Sequence, residues 1–406
     1  MVNLPEDFIR ETRRIMGEER FNRFIRAFEE EAPTSIRVNP KYSLAVGEGD
    51  IVSWCPEGYY LEGRPQFTFD PLFHAGCYYV QEAASMFITH VLRNLVPLAP
   101  CPSPLHVLDL CAAPGGKSTA MRTVLPEGSV LVSNEPIANR AQILLENITK
   151  WGWPDCIVTN NYPRDFRKAK LKFDVILCDV PCSGEGMFRK DPATISEWSM
   201  QNVEKCWRLQ REIVADAWEC LNPGGILIYS TCTFNTKENE ENVRWIIDTY
   251  DAETLNIPID PSWNITGSLL PGFDAPVYRF IPGITRGEGL FLYALRKHGG
   301  EKLGAIGERF DERKMKSLSI LSPLTTHLSP LKIDVPYAEA LKYLRGEALV
   351  LPPDTPKGMV TISYKGFALG PAKNIGNRAN NLYPKPWRIK TTHLPDEAPK
   401  VLLNDD

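Results

Sequence analysis

Two cysteines stand where a reaction could use them. Cys182 lies in DVPCSGEGMFRKDP (179–192), at the end of the apolar run FDVILCD, and Cys232 lies in STCTF (230–234), at the end of ILIYSTCT. Both runs read as buried strands, so each carries its thiol to the same edge of a sheet, where Asp179 and a proline turn accompany Cys182. A lone buried cysteine is usually a small hydrophobe. Two at the ends of adjacent strands, one of them beside a carboxylate, call for thiol chemistry.

A second group lies upstream in LDLCAAPGGKSTA (108–120), a strand that breaks at Pro114-Gly115-Gly116 and restarts as a helix. The glycines let the backbone approach a ligand, and the helix opened by Lys117 and Ser118 turns its free N–H groups toward it. Glu135 follows Gly115 by 20 residues and closes the next apolar run, SVLVSNE. At that distance an acidic side chain reaches a ribose hydroxyl pair. A GxxxxGK[ST] phosphate cradle is absent, which favours a nucleoside without a triphosphate.

These residues need a sheet to hold them. From Leu105 to Lys297 strand patterns (106–111, 130–135, 156–160, 173–179, 226–233) alternate with helical ones (117–125, 136–151, 194–221, 236–250). That alternation predicts a parallel sheet covered on both faces, with ligands at the carboxyl ends of its strands. Asp109, Glu135, Asn160, Asn161, Asp179 and Cys232 all fall at those ends. Upstream, amphipathic helices are expected within 1–31, a small strand-containing segment from residue 35, a helix over 76–96 and an exit loop at CPSP (101–104). Downstream, a helix is expected over 336–345 in a strand-rich terminal domain. Its stretch from Thr355 to Thr391 holds seven Lys or Arg (357, 365, 373, 378, 385, 388, 390) and no acid, interleaved with Tyr364, Phe367, Tyr383 and Trp387. Cations among aromatic platforms suggest an RNA-contacting face.

Composition sets outer limits. The 406 residues suffice for two or three domains, and a net charge of -4 argues against a wholesale nucleic-acid coat without excluding a basic patch. The ten cysteines form no CxxC pair, so neither a zinc site nor a disulfide framework is expected. Without an apolar run near 18 residues or an apolar N-terminal segment, the expectation is a cytoplasmic protein with no membrane span.

The chain resembles the Sun-type RNA cytosine-5 methyltransferase family, and within it the RsmF-like ribosomal RNA enzymes. CAAPGGK (111–117), DVPCSGEGMFRKDP and STCTFNTKENE (230–240) carry the match, supported by SIRVNP (35–40), YYVQEAASM (78–86) and RGEGLFLYALRK (286–297). The resemblance implies an α/β fold: a Rossmann-like S-adenosylmethionine-dependent methyltransferase core (76–297) after a small α+β N-terminal RNA-binding domain (1–75). A strand-rich PUA-like RNA-binding domain (298–406) follows, with KNIGNRANNLYPKPWRIK (373–390) as its marker. It implies S-adenosylmethionine as cofactor, held by Cys111, Ala112, Ala113, Pro114, Gly115, Gly116, Lys117, Glu135 and Asp179. Cys232 becomes the nucleophile and Cys182 the residue that assists product release.

The chemistry asks for such equipment. Carbon 5 of cytosine is a poor nucleophile until a thiolate adds to carbon 6, and covalent catalysis then splits one hard step into two. Asp179, protonated, would hydrogen-bond ring nitrogen 3, and Lys117 or Lys190 would supply the cation that a reactive Cys232 needs. The target base must be single-stranded or flipped out. One departure stands out: where many relatives carry Asp-Gly-Arg after the third strand, this chain has TNNYPRDF (159–166), which leaves Asn161 or Asn160 to contact the cofactor. A DNA cytosine methyltransferase would keep its nucleophile on the fourth strand, and an amino-group methyltransferase would need Pro-Pro after Asp179. The expected partner is ribosomal RNA, with transfer RNA second, for a monomer without metal; a non-catalytic ribosome-assembly factor is the alternative of another class.

Overall fold

The computed structural model describes residues 3–44, 46, 49–96, 104–299, 312–321, 328–391 and 393–402. Helices α1 (Glu6–Met16) and α2 (Glu18–Arg26) each bury one face, Phe8, Thr12 and Met16 recurring every four residues, and Gly17 separates them at φ 73°. A four-stranded sheet follows, made of β1 (Thr34–Val38), β2 (Ile51–Val52), β3 (Cys55–Leu61) and, after the short α3 (Pro71–His74), β4 (Tyr78–Val80), in the order β2-β3-β1-β4.

The predicted helix over 76–96 is therefore corrected. Tyr78–Val80 pairs antiparallel with β1, and only α4 (Phe87–Leu95) is α-helical. The β-prone run Tyr78-Tyr79-Val80 prefers an open sheet edge to a helix, and the first sheet consequently runs past residue 75. The CPSP loop falls mainly on residues outside those described.

The central layer starts with β5 (His106–Asp109), α5 (Gly116–Val124), β6 (Val130–Asn134), α6 (Ala138–Trp151), β7 (Cys156–Thr159) and α7 (Pro163–Lys168). It continues through β8 (Phe173–Asp179), α8 (Ala193–Glu197), α9 (Met200–Cys220), β9 (Leu221–Thr231) and α10 (Glu240–Thr249). Three further strands follow: β10 (Ala252–Thr254), β11 (Tyr278–Phe280) and β12 (Leu290–Lys297). The single helix expected over 194–221 is two, because Trp198 is extended and Ser199 caps α9 by accepting the N–H of Asn202. The nine-stranded sheet has the path β10-β12-β9-β8-β5-β6-β7, ends on β13 (Ile320–Leu321), which follows α11 (Glu312–Met315), and carries β11 paired on β12 beside that path. Strands β5 to β9 are parallel as expected. Both edges are antiparallel instead, through β12 on β9 and β13 on β7, so the sheet is mixed.

The terminal sheet comprises β14 (Lys332–Asp334), β15 (Gly358–Tyr364), β16 (Phe367–Asn374) and β17 (Ala379–Asn381), with α12 (Tyr337–Arg345) packed on it. One hydrophobic cluster joins this unit to the first sheet, from Ile36, Leu72 and Tyr78 to Leu344, Ile362 and Tyr383. Two of the aromatics expected as stacking platforms are buried here, and two are partly so. Tyr364 and Tyr383 are buried, Phe367 lies 5.2 Å from Tyr42, and Trp387 lies 6.0 Å from Tyr383. Arg388 is only half-exposed and donates to the Tyr383 carbonyl at 3.1 Å. The other six cations of the stretch are exposed. Among the described residues, no helix is long and apolar enough to cross a membrane, and no cluster of His, Cys, Asp and Glu is arranged to hold a metal.

A buried ion pair anchors the sheet's edge. Arg279 of β11 meets Glu240 of α10 through Nε at 2.8 Å and a second contact to Oε2, and donates to the Phe234 carbonyl at 2.9 Å. Arg279→Met leaves Glu240 buried with only the Leu269 N–H and no cation, and should lower stability by about 3–5 kcal/mol, read by urea unfolding. Pairing it with Glu240→Leu should restore most of that loss; equal losses in the single and double variants would show that the ion pair is not what matters.

Candidate active site

Asp179 closes β8 in register with Ser230 of β9. Ser230 Oγ donates to Asp179 Oδ1 at 2.5 Å, and Lys117 Nζ, from the first turn of α5, donates to Oδ2 at 2.8 Å. Burial opposes the charge of Lys117, but the charge and hydrogen bond of Asp179, reinforced by Cys232 and Asp109, outweigh it and raise the pKa. A permanent cation thus stands beside the thiols. Lys190, the other cation considered, is exposed on the rim of a cavity of about 600 Å³ between the first sheet and the loop after Cys182, which Ser35, Arg64, Gln81 and Arg189 also line.

Cys182 Sγ and Cys232 Sγ lie 3.3 Å apart, and the nine described cysteines are all free thiols. The Gly186 N–H donates to the Cys232 carbonyl at 2.7 Å. A Cβ at 186 would fall 2.3 Å from that oxygen, so only glycine allows the two loops to close. The Cys182 thiol is pushed well above its usual 9.0 by its hydrogen bond to Cys232 first, then by burial and by the Cys232 charge. Cys111, fully enclosed, is pushed up chiefly by burial and is a structural thiol.

The loop ahead of α5 is tied down from one side. Ala112 N–H donates to Asn134 O at 2.7 Å, Arg140 to Ala113 O at 3.1 Å, and Asn147 to Pro114 O at 2.8 Å. Gly115 takes φ 115°, which disfavours any side chain, and a Cβ on Gly116 would meet Tyr79 at 3.4 Å and Gln81 at 3.5 Å. Beneath this turn Asp109 is fully buried. Its Oδ2 accepts from Ser118 Oγ at 2.6 Å, its Oδ1 has no partner, and burial pushes its carboxyl up to about 7. Glu135, 1 % exposed, accepts the Ile137 N–H at 3.0 Å and has Arg140 at 3.6 Å.

Asn161 does not join this group as expected. Its amide is used on both sides, accepting from Ser319 N–H at 2.9 Å and donating to Ser319 O at 3.1 Å. The cause is β13, which extends the sheet beyond β7 and brings Ser319 over it. Asn160 instead turns to the carboxyl end of β6, donating to Glu135 O at 2.7 Å. Sequence reasoning missed Ser230, Gln81, Glu185, Asn235 and Glu238. The last three sit inside the quoted motifs as polar residues in largely buried turns, a signal that was readable.

The asymmetry of the thiols has a measurable consequence. Because the largest effect on Cys182 is the hydrogen bond that favours its protonated form, Cys232→Ala should move its titration downward. Iodoacetamide labelling of Cys182 should then begin at lower pH than in the parent, followed by peptide mass spectrometry; an unmoved profile would leave burial alone as the cause.

Comparison with known proteins agrees with this geometry. The family model described as 16S rRNA methyltransferase RsmB/F matches residues 96–296, that of the N-terminal domain of 16S rRNA methyltransferase RsmF matches 4–83, and that of the methyltransferase RsmF PUA domain matches 330–389. Ribosomal RNA small subunit methyltransferase F of Serratia proteamaculans is 34% identical over 321 residues, 73% of this chain and 64% of that protein. The Cronobacter sakazakii protein of the same name is 34% identical over 318 residues with the same coverage. The chain thus spans 64% of the length of these relatives. A methyltransferase homolog from Pyrococcus horikoshii superposes with a TM-score of 0.60 at 26% identity, covering 73% of this chain and 96% of that one. NSun6 from Pyrococcus horikoshii, solved with SFG, superposes at 0.59 with 21% identity, covering 73% and 99%. Three models, of the RsmB/F methyltransferase core and of the RsmF N-terminal and PUA domains, matched in order along the chain, together with relatives 34% identical, show that this chain belongs to the RsmB/F methyltransferase family.

Proposed function

We propose that this chain is an S-adenosylmethionine-dependent RNA cytosine-5 methyltransferase that modifies small-subunit ribosomal RNA through a covalent cysteine–cytosine adduct. The observation that carries the reading is the 3.3 Å contact of two reduced thiols next to the Lys117–Asp179 pair. The cofactor fits the residues present: a glycine turn opening α5, Glu135 just past the end of β6, and an orphaned oxygen on buried Asp109. Bound there, it supplies an electrophilic methyl group. SFG, the ligand of the NSun6 neighbour, is an analogue of it.

Cys232, as thiolate beside Lys117, forms the bond to carbon 6, and the displaced π electrons make carbon 5 nucleophilic toward the methyl group. Asp179 accepts from Lys117 and Ser230, so it donates to the ring only when protonated, whereas the Lys117 ammonium keeps N–H groups to spare. Lys117 therefore shares with Asp179 the task of stabilising the adduct. Cys182 gives its own proton to solvent after Cys232 has bonded to carbon 6, and then takes the carbon-5 proton; the electron pair of that C–H bond re-forms the carbon 5–carbon 6 double bond, the carbon–sulfur bond breaks, and Cys232 leaves as thiolate. Once Cys232 is bonded to carbon, the hydrogen bond and charge that held Cys182 protonated are gone, and its pKa falls when a base is wanted.

Exposed Lys357, Lys365, Lys373, Arg378, Lys385 and Lys390 support RNA binding by the terminal unit through phosphates, while burial removes Tyr364 and Tyr383 as stacking platforms. Ribosomal RNA follows from the names of the relatives; transfer RNA is the second reading. The cytoplasmic address and the monomeric state belong to the same proposal, as does the division into N-terminal, central and terminal units.

Two experiments test it. Cys232→Ala should give neither methylated RNA nor a protein–RNA adduct, while Cys182→Ala should accumulate a denaturation-resistant, ribonuclease-sensitive adduct when cofactor is supplied, and the double variant should lose it. The opposite assignment of adducts would move the nucleophile to the fourth strand. Reversing Lys373 and Arg378 should weaken RNA binding and lower its salt slope by about 0.7 for each phosphate no longer neutralised, with cofactor affinity unchanged. An unmoved slope would make the stretch a solvated surface.

A further inference from the structure

Behind the thiols lie two buried carboxylates. Glu185 is 2% exposed and Glu238 0%, and among the described residues neither forms an ion pair with Lys, Arg or His. Their hydrogen bonds cross. Glu185, three residues after Cys182, turns to the other loop, where its Oε2 accepts the N–H groups of Phe234 at 2.6 Å and Asn235 at 3.0 Å. Glu238, six residues after Cys232, turns back, and its Oε2 accepts the N–H of Ser183 at 3.0 Å and Gln210 Nε2 at 2.7 Å. Asn235 Nδ2 bridges the pair, 2.9 Å from Glu185 Oε1 and 2.8 Å from Glu238 Oε1.

Burying two like charges without a cation is costly, and apolar packing would join two loops at lower cost. Apolar contacts, however, do not fix backbone direction. The N–H groups captured here belong to the residue after Cys182 and to the second and third residues after Cys232, so capturing them sets where each Sγ points. Burial, with the charge of Glu185 second, pushes the Glu238 carboxyl up to about 7, which relieves part of the repulsion.

We infer that each carboxylate positions the cysteine of the opposite loop, Glu238 setting Cys182 through Ser183 and Glu185 setting Cys232 through Phe234 and Asn235. The two act through the cysteines and touch no substrate. The assignment of consequences rests on the proposed roles of the thiols: loss of Glu238 should mimic loss of Cys182, and loss of Glu185 should slow attack.

The test uses the full chain with RNA and cofactor, and Glu238→Gln and Glu185→Gln, which keep shape but exchange one acceptor oxygen for a donor. Glu238→Gln should accumulate the denaturation-resistant adduct, whereas Glu185→Gln, combined with Cys182→Ala, should form it about tenfold more slowly, with cofactor affinity by calorimetry unchanged in both. Adduct and product falling together in step with the folded fraction would overturn the inference, because a structural role alone gives that result. If Cys182→Ala itself fails to trap an adduct, the cysteine roles are wrong, and the positioning claim is then judged by geometry. Glutathione disulfide closes the 182–232 disulfide by accepting two electrons and two protons, at a rate that reports sulfur approach whatever the roles. Either variant should slow that closure about tenfold, and an unchanged rate would overturn the claim. Asn235→Ser, which cuts the bridge while keeping both acids, repeats both readouts should a glutamine variant fold poorly.

Discussion

Everything in the site hangs on one carboxylate held from two directions. Asp179 ends a strand, Ser230 reaches it from the next strand, and Lys117 reaches it from a helix 62 positions earlier in the chain. A buried ammonium would shed its proton without a counter-ion, and a buried carboxylate would take one up. Asp179 keeps Lys117 charged, and the pair draws the glycine turn, the fourth strand and the fifth strand into one volume. The thiols come to their 3.3 Å contact inside that frame.

The first sheet contributes to the same frame at a distance. Arg37 of β1 is buried, donates to Gln81 Oε1 at 2.7 Å and to Thr119 Oγ1 of α5 at 2.6 Å, and stacks 4.4 Å from Trp151 of α6. Burial pulls its pKa down to about 10, still far above neutrality, so it remains a fixed charge facing neutral partners. The N-terminal unit therefore grips the two helices that flank the glycine turn. Gln81, oriented by Arg37, keeps its Nε2 buried and without a partner beside Gly116. Through Tyr42, His74 and Phe69 the same unit meets the terminal domain, so any strand of RNA held by the exposed cations is referenced to the thiols through packed contacts.

What could be read in the sequence was what repeats or alternates. The parallel strands announced themselves as apolar runs, and topology placed Asp179 and Cys232 at their carboxyl ends; Lys117 was named from the glycine turn, and the resemblance supplied the roles of Cys182 and Cys232. Features set by distant partners could not. Residues 78–80 look helical by context until β1 offers them an edge, and Asn161 looks free until β13 arrives from 158 positions later. The aromatics of the basic stretch posed the same difficulty, since a sequence shows that Tyr364 and Tyr383 lie near cations but not that the hydrophobic cluster shared with the first sheet buries them. Glu185 and Glu238 failed differently: they stood in plain view within recognised motifs, and a charged residue in a buried turn was a reason to ask what it accepts from.

The thiol pair itself explains why the loops must be so rigidly held. Two sulfurs within hydrogen-bond distance share a proton, and the sharing depends on their separation: at 3.3 Å the contact with Cys232 is the largest influence holding Cys182 protonated. Moved apart by about an ångström, the sulfurs would no longer share a hydrogen bond, Cys182 would titrate more like an ordinary buried thiol, and the distinction between nucleophile and base would fade. Moved together, with an oxidant at hand, the pair would close to a disulfide and remove both groups from use. A geometry between these failures must be fixed by directional bonds. Backbone N–H groups captured by buried carboxylates, and a glycine that lets one loop's amide reach the other's carbonyl, provide such bonds where apolar packing would not.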